Sequence, residues 1–243
     1  MIVRPTPQGA LHVTQADHAR FAAELLRLFR LPELVAHPRR DLLLRAVAEH
    51  DNGWWEADSA PRLAASGDCA LDFRALPAGP RQEIWRRGVE RFASETPYLA
   101  ALLATHILRL SGSLQADPAW QEFRTAIRMR CEELLAAAGA ISADLADDDS
   151  WLGLADALSL AVCAGDAGLL DRPGWRLELR EPAGDGEGLS LVAGLQPFPF
   201  AGSTVFELSG RRLSAVGFPT AAALGVALAT APWERLRIRF TPL

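Results

Sequence analysis

Apolar residues recur every three or four positions in six segments of the chain. This spacing predicts helices over residues 14–30, 39–51, 81–94, 96–110, 117–138 and 150–164. Helix-start signals support three of these beginnings: Thr14, Thr96-Pro97 and Asp117-Pro118. The last segment is apolar on nearly every side, which is typical of a helix that is buried all round.

Short β-type runs lie at both ends of the chain. Residues 2–4 and 10–14, on either side of a turn region, predict a small hairpin. After residue 165, runs separated by glycine and proline predict strands over residues 175–180, 189–193, 204–208, 212–216 and 235–240, with a helix over 220–230. Residues 53–80 show no periodicity, so we interpret them as either a structural loop or a wall over a pocket.

These elements predict an α+β protein in three parts. Residues 15–165 would form an all-α helical bundle. Residues 166–243 would form a mostly antiparallel sheet appendage, and the hairpin of residues 1–14 would pack on that sheet. The length of 243 residues, about half of them hydrophobic, suits a large domain with a sizeable core.

Composition narrows the class of partner. All 25 basic residues are arginine and the net charge is −5, which argues against a nucleic-acid polymer as the main partner. Three widely spaced cysteines without a CxxC pair favour a reducing compartment. We find no signal-peptide run and no apolar stretch of about 20 residues, so we expect a cytoplasmic protein with no membrane partner. Homo-oligomerisation stays open.

Polar residues interrupt the apolar faces of four predicted helices. His18 lies seven residues before Leu25, and an unpaired carboxylate such as Asp156 in the most apolar helix would cost several kcal/mol. Neighbouring helical side chains diverge by about 100°, so a histidine–aspartate doublet can share an ion only at a helix end. The inward polar set is His18, His50, Asp51, His106 and Asp156.

Other ionisable residues have simpler interpretations. His12 is expected to be a surface or half-buried strand residue. His37, directly before a proline, is expected to be a solvated connector. The acidic run of residues 144–149 is expected to be a solvated linker.

The order His, His-Asp, Asp on separate helices resembles the HD-domain superfamily of metal-dependent phosphohydrolases. The matching pieces are His18, the run Glu49-His50-Asp51-Asn52-Gly53, and the aspartate of Ala155-Asp156-Ala157-Leu158-Ser159. The resemblance implies an HD-like bundle over residues 15–165. It also implies one divalent ion (Mn, Fe, Ni, Co, Zn or Mg) held by His18, His50, Asp51 and Asp156. More narrowly, the chain resembles the bacterial DUF3891 family over nearly its whole length, for example at Leu103-Ala104-Thr105-His106.

The HD resemblance implies hydrolysis of a nucleotide or other small phosphoester by metal-activated water. Asp51 would orient or deprotonate that water, and His106 would meet the developing charge, act as a general acid or ligate a second ion. Trp54 and Trp55 would form a stacking wall of the substrate pocket. Many HD enzymes carry a basic residue where Trp54 stands. Phosphate contact would therefore fall to an arginine such as Arg45, Arg62, Arg74 or Arg109.

Two other functions stay open. A catalytically degenerate module that binds a ligand or metal without turnover is favoured by the missing basic residue and by the tryptophan-rich loop. A metal-dependent oxygenase on a similar bundle would need further inward ligands, for which Glu24 and Glu49 are the near candidates.

Overall fold

The computed structural model describes residues 1–181, 189–214 and 217–243. The strands are β1 (Ile2–Thr6), β2 (Gly9–Val13), β3 (Arg176–Arg180), β4 (Leu189–Gln196), β5 (Thr204–Leu213) and β6 (Trp233–Pro242). The helices are α1 (Gln15–Leu28), α2 (Pro32–Val35), α3 (Arg40–Glu49), α4 (Trp55–Ser59), α5 (Ala78–Glu90), α6 (Pro97–Leu110), α7 (Pro118–Ala138), α8 (Ser142–Ala164) and α9 (Ala221–Thr230). Within these ranges, no helix is long and apolar enough to cross a membrane.

Each predicted helix is present, and two of the predicted starts are confirmed by side-chain caps. Thr14 accepts a hydrogen bond from the Asp17 amide at the start of α1, and Asp117 accepts one from the Ala119 amide at the start of α7. These side chains satisfy amides that the first helical turn leaves without a partner.

Helix α8 begins two turns earlier than the sequence pattern indicated. The interpretation of residues 144–149 as a solvated acidic linker is wrong, because Asp148 is fully buried. Its carboxylate accepts a hydrogen bond from the Tyr98 hydroxyl at 2.8 Å and lies 3.3 Å from Arg39 Nε. A buried carboxylate with such partners is tolerated, and the acidic run therefore has one inward member.

Within the described residues, six strands form a single sheet in the order β1-β2-β5-β6-β4-β3. β4 and β6 are parallel, and the other neighbours are antiparallel. The N-terminal hairpin pairs with β5, from Ala10 opposite Leu213 to His12 opposite Arg211. The two ends of the chain therefore share one sheet.

The predicted fold class, an all-α bundle with a sheet appendage, is wrong. The protein is a mixed α/β structure in which helices and a curled sheet share one core. Phe21 of α1 meets Phe206 of β5 edge to face with ring centroids 5.9 Å apart. Helix α8 packs against α1, α6 and β1. Its all-round apolar surface reflects this position between helices and sheet.

The strand bounds also differ in one place. Residues 204–208 and 212–216 were expected to be separate strands, yet β5 runs unbroken from Thr204 to Leu213, and residues 215–216 lie outside the described ranges. Gly210 lies inside β5, where an added Cβ would come within 2.8 Å of Leu11 Cδ1. This glycine permits close packing of β2 and does not mark a turn.

Candidate metal centre

The inward polar side chains of α1, α3, α6 and α8 converge at one buried point. Asp156 Oδ1 lies 3.1 Å from His18 Nε2 and 3.4 Å from His50 Nε2. Its other oxygen, Oδ2, lies 3.6 Å from His106 Nε2. The three histidines and Asp156 are buried, so these ionisable side chains meet in a site with little access to water.

Asp51 completes the cluster. Its Oδ2 lies 3.4 Å from His50 Nε2 and 3.8 Å from His18 Nε2. His18, His50 and Asp51 form one group whose ligand atoms could hold a metal ion, and His50, His106 and Asp156 form another. The groups share His50. The structure therefore brings together all five residues of the predicted inward set.

The doublet reaches the centre because α3 ends there. His50 still has helical backbone angles, whereas Asp51 has φ −107° and ψ 18°, so its side chain turns back beside the imidazole. The following turn lies against α5: an added Cβ on Gly53 would come within 2.1 Å of the Ile84 carbonyl oxygen. Arg87 donates a hydrogen bond to the Gly53 carbonyl. Gly53 is therefore required because its backbone lies against that of α5, and not because of a positive φ.

Hydrogen bonds at Nδ1 of His18 and His50 fix the orientation of both rings, with Nε2 toward the centre. His50 Nδ1 lies 2.7 Å from the Val47 carbonyl oxygen, which only accepts, so this nitrogen carries the proton. The Ser159 hydroxyl donates to the His18 carbonyl at 2.8 Å and lies 2.7 Å from His18 Nδ1. Both contacts are satisfied when His18 Nδ1–H donates to the hydroxyl oxygen. An ion would then meet the Nε2 atoms of His18 and His50, where it would take the place of any proton shared with the carboxylates.

Charge coupling at the centre shifts two pKa values in opposite directions. Burial lowers the pKa of His50, but the nearby charges of Asp51 and Asp156 outweigh it and hold that pKa well above its usual value. Burial raises the pKa of Asp156, yet the neighbouring imidazoles of His18 and His50 outweigh it and hold that pKa well below its usual range. Asp156 is therefore a carboxylate, as a metal ligand must be.

A cavity of about 60 Å³ opens on the cluster and has mostly apolar walls. Trp54, Phe73, Trp85, Leu110 and Leu160 form these walls. Trp54 thus lies where the pocket prediction placed it. Trp55 does not: 46% of it is exposed, and it stacks under the guanidinium of Arg91. The prediction that Trp55 lines the site is wrong.

The candidate arginines are distributed away from the cavity. Arg45 pairs with Glu95, and Arg74 pairs with Asp72. Arg62 lines a separate cavity of about 270 Å³ that shares Trp54 and Phe73 as walls. Arg109 contacts the centre indirectly, through His106.

Two histidines that were expected to be peripheral are buried. His12 Nε2 accepts a hydrogen bond from the Ala70 amide, which fixes the long loop against β2. His37 Nε2 lies 2.9 Å from Asp148 Oδ1, so the interpretation of His37 as a solvated connector is wrong. Asp147 lies 3.3 Å from His37 on the other side of this pair. Because Arg39 also pairs with Asp148, we assign a structural role to His37, Asp147 and Asp148.

The sequence interpretation assigned no role to Ser159 and did not single out Arg109 among the arginines. Ser159 lies three residues after Asp156 on the same helix face, a spacing that could have revealed it. Arg109 lies three residues after His106 in the same way, but its contact with the imidazole depends on the neighbouring helix α8.

Comparison with known proteins gives one result. No curated protein and no solved structure matches the chain. A family model described as a protein of unknown function, DUF3891, matches residues 1–213. This range includes every residue of the cluster and ends at the last residue of β5. Because the match covers most of its length, the chain belongs to the DUF3891 family.

Proposed function

We propose that the chain is a metal-dependent phosphohydrolase of HD type, with one divalent ion held by His18, His50, Asp51 and Asp156. The observation that carries the proposal is the preset orientation of two imidazoles. Their Nδ1–H groups are held by Val47 O and Ser159 Oγ, and their Nε2 atoms meet two carboxylates. His50 Nε2 has no hydrogen-bond partner among the described residues, as expected of a nitrogen reserved for an ion.

The donor set fits a transition metal. Two imidazole nitrogens with two carboxylates suit Mn, Fe, Ni, Co or Zn better than Ca. The bound ion would supply Lewis acidity and lower the pKa of a water molecule. Asp51, which follows the end of α3 and is only partly buried, would orient that water. Asp156, whose Oδ1 lies 3.1 Å from His18 Nε2, would serve chiefly to hold the ion.

The cavity walls bear on the substrate. Across the described part of the chain, no arginine lines this cavity, so a phosphate would be met by the ion, by His106 and by the neutral amide of Gln15. Trp54, Phe73 and Trp85 offer flat apolar surface for the rest of the molecule. These features favour a small phosphoester that carries one phosphate on a flat or apolar group over a polyphosphate.

The lack of a lining arginine among the described residues also favours a second candidate. This candidate is a binding module that keeps the ion or a ligand but does not hydrolyse an ester. Enzymes that transfer phosphoryl groups usually surround the transferred group with several positive charges. A centre with an ion and no lining arginine would bind a ligand without sufficient charge stabilisation for the reaction.

The experiment combines elemental analysis of the purified chain with a panel of nucleoside monophosphates and aryl phosphates, assayed with added Mn, Ni, Co or Zn. We expect bound metal and metal-dependent phosphate release in the wild-type chain, and loss of both in His50→Gln and Asp156→Asn. Asp117→Asn is the matched control, because asparagine also caps α7. Metal or ligand binding without phosphate release would support the binding module instead. No metal in the wild-type chain would refute the hydrolase, and binding of neither metal nor ligand would refute both.

A further inference from the structure

His106 is held in the opposite orientation to the other two histidines of the centre. Its Nδ1 lies 2.5 Å from a terminal nitrogen of Arg109. A guanidinium has donors only and does not lose its proton in proteins, so His106 Nδ1 must be the acceptor. A neutral imidazole with an accepting Nδ1 carries its proton on Nε2. His106 Nε2–H therefore faces the centre, where it has no hydrogen-bond partner among the described residues.

Arg109 is fixed in a cradle formed by α8. Its Nε donates to Asp149 Oδ2 at 3.1 Å. The rest of the guanidinium lies on the backbone of Gly153, where an added Cβ would come within 2.5 Å of a terminal nitrogen. Glycine in a helix interior costs about 1 kcal/mol relative to alanine, and here its missing side chain makes room for the arginine.

We propose that Arg109 is a positioning residue that holds His106 in the Nε2–H tautomer, so that His106 serves as a hydrogen-bond donor to an oxygen at the centre and not as a metal ligand. The proposal rests on the proposed function in one respect: the oxygen would belong to the phosphoester or to the water that attacks it. The tautomer itself follows from the contact of His106 with Arg109 and from the contacts of Arg109 with Asp149 and Gly153.

This assignment chooses between the two possible ligand groups. The group of His50, His106 and Asp156 needs a lone pair on His106 Nε2, which the contact with Arg109 removes. The group of His18, His50 and Asp51, extended by Asp156, remains compatible with the hydrogen bonds around it. A donor aimed at the reacting group also supplies part of the stabilisation that the apolar cavity lacks.

Gly153→Ala tests the cradle with little risk to the fold. The added methyl group displaces the end of a flexible side chain, and alanine is the better helix former. We expect Arg109 to leave His106 Nδ1. Asp149 Oδ1, which lies 4.0 Å from this nitrogen and has no hydrogen-bond partner in the described structure, would then accept from Nδ1–H. Gly225→Ala on α9 is the matched control, because its Cβ would meet nothing within 4 Å.

The readout is nitrogen NMR of the histidine rings in the metal-free full-length chain, with the His106 signals identified by their loss in His106→Gln. In the wild type and in Gly225→Ala, we expect a protonated Nε2 and an unprotonated Nδ1 on His106. In Gly153→Ala and in Arg109→Met, we expect the ring proton of His106 to be on Nδ1, with Nε2 unprotonated. A protonated Nδ1 in the wild type, or an unchanged His106 pattern in Arg109→Met, would overturn the proposal.

A metal titration tests separately whether His106 is a metal ligand. His106→Gln should change the dissociation constant for Mn²⁺ by less than about threefold, whereas loss even of a partner behind a metal-bound histidine costs on the order of 10–100-fold, and loss of a ligand at least as much. Loss of metal in His106→Gln equal to that in His50→Gln would show that His106 is a ligand and overturn the proposal. Absence of ester hydrolysis, with the tautomers and the metal as expected, would refute the hydrolase and leave the role of Arg109 intact.

Discussion

Replacing Ser159 with alanine tests the metal centre through a residue that would not touch the ion. The Ser159 hydroxyl is wholly buried on α8. It holds the ring of His18 by accepting from Nδ1–H and is itself tied to the His18 carbonyl. Removing the oxygen leaves the ring free to rotate and leaves a buried N–H without an acceptor. We expect weaker metal binding, because His18 Nε2 would no longer have a fixed direction.

Two magnitudes follow for Ser159→Ala. Loss of a partner behind a metal-bound histidine typically lowers metal affinity by about 10–100-fold, which corresponds to about 1.4–2.7 kcal/mol. In the metal-free chain, an unsatisfied buried donor should lower the free energy of unfolding by about 1–3 kcal/mol. The affinity loss is therefore expected in addition to a loss of stability, and the two must be measured separately.

Calorimetric titration with Mn²⁺ gives the affinity, and denaturant unfolding in EDTA gives the stability. Ser111→Ala is the matched control, because the Ser111 hydroxyl is also fully buried, donates to the Ile107 carbonyl at 2.7 Å and accepts from Arg124. We expect Ser111→Ala to lose stability and keep its metal affinity. A folded Ser159→Ala chain with wild-type affinity would show that the orientation of His18 is not what makes this centre.

Three further predictions concern other residues. Gly53→Ala should destabilise the chain by about 1–3 kcal/mol or more and weaken metal binding, whereas Gly79→Ala, whose Cβ meets nothing within 4 Å, should do neither in the same unfolding and titration assays. Asp156→Asn should abolish Mn²⁺ binding by calorimetry and lower stability in EDTA, because His50 loses a partner that keeps its pKa high. Burial raises the pKa of Cys163 to about 12 and also raises that of Cys131, so neither thiol should react with a labelling reagent at neutral pH until the chain is unfolded. Rapid labelling of either thiol in the native chain would contradict this.

The periodicity of apolar residues predicted the helices well because each helical face is a local property of 10 to 20 residues. It could not predict how those faces meet. Helix α8 is apolar all round, which fits the centre of a bundle as well as the space between helices and a sheet. Its contact with β1 depends on Arg4, which donates to the Val162 carbonyl from the other end of the chain. No local pattern indicates that contact.

The candidate centre was easier to predict than the fold because buried polar residues are costly. His18, His50, His106 and Asp156 lie on faces that are otherwise apolar, and each needed a partner. The same reasoning failed for Asp148, since a run of acidic residues conceals one inward member. It also did not single out Arg109 among the four candidate arginines, because this side chain is 40% exposed and contacts the centre only through His106.

The sheet has a direct bearing on the centre through α8. This helix carries Asp156 and Ser159, and its last turn is held by Arg4 of β1 at the Val162 carbonyl. Gly165, which ends the helix with φ 72°, leaves room for the same guanidinium, since an added Cβ would come within 3.1 Å of it. The histidines lie on α1, at the end of α3 and on α6, and β1 contacts the helix that carries the carboxylate. The hairpin therefore helps to position the helix that carries two residues of the candidate centre, and a chain that lacked it would lose the contacts of Arg4 with Val162 and Gly165.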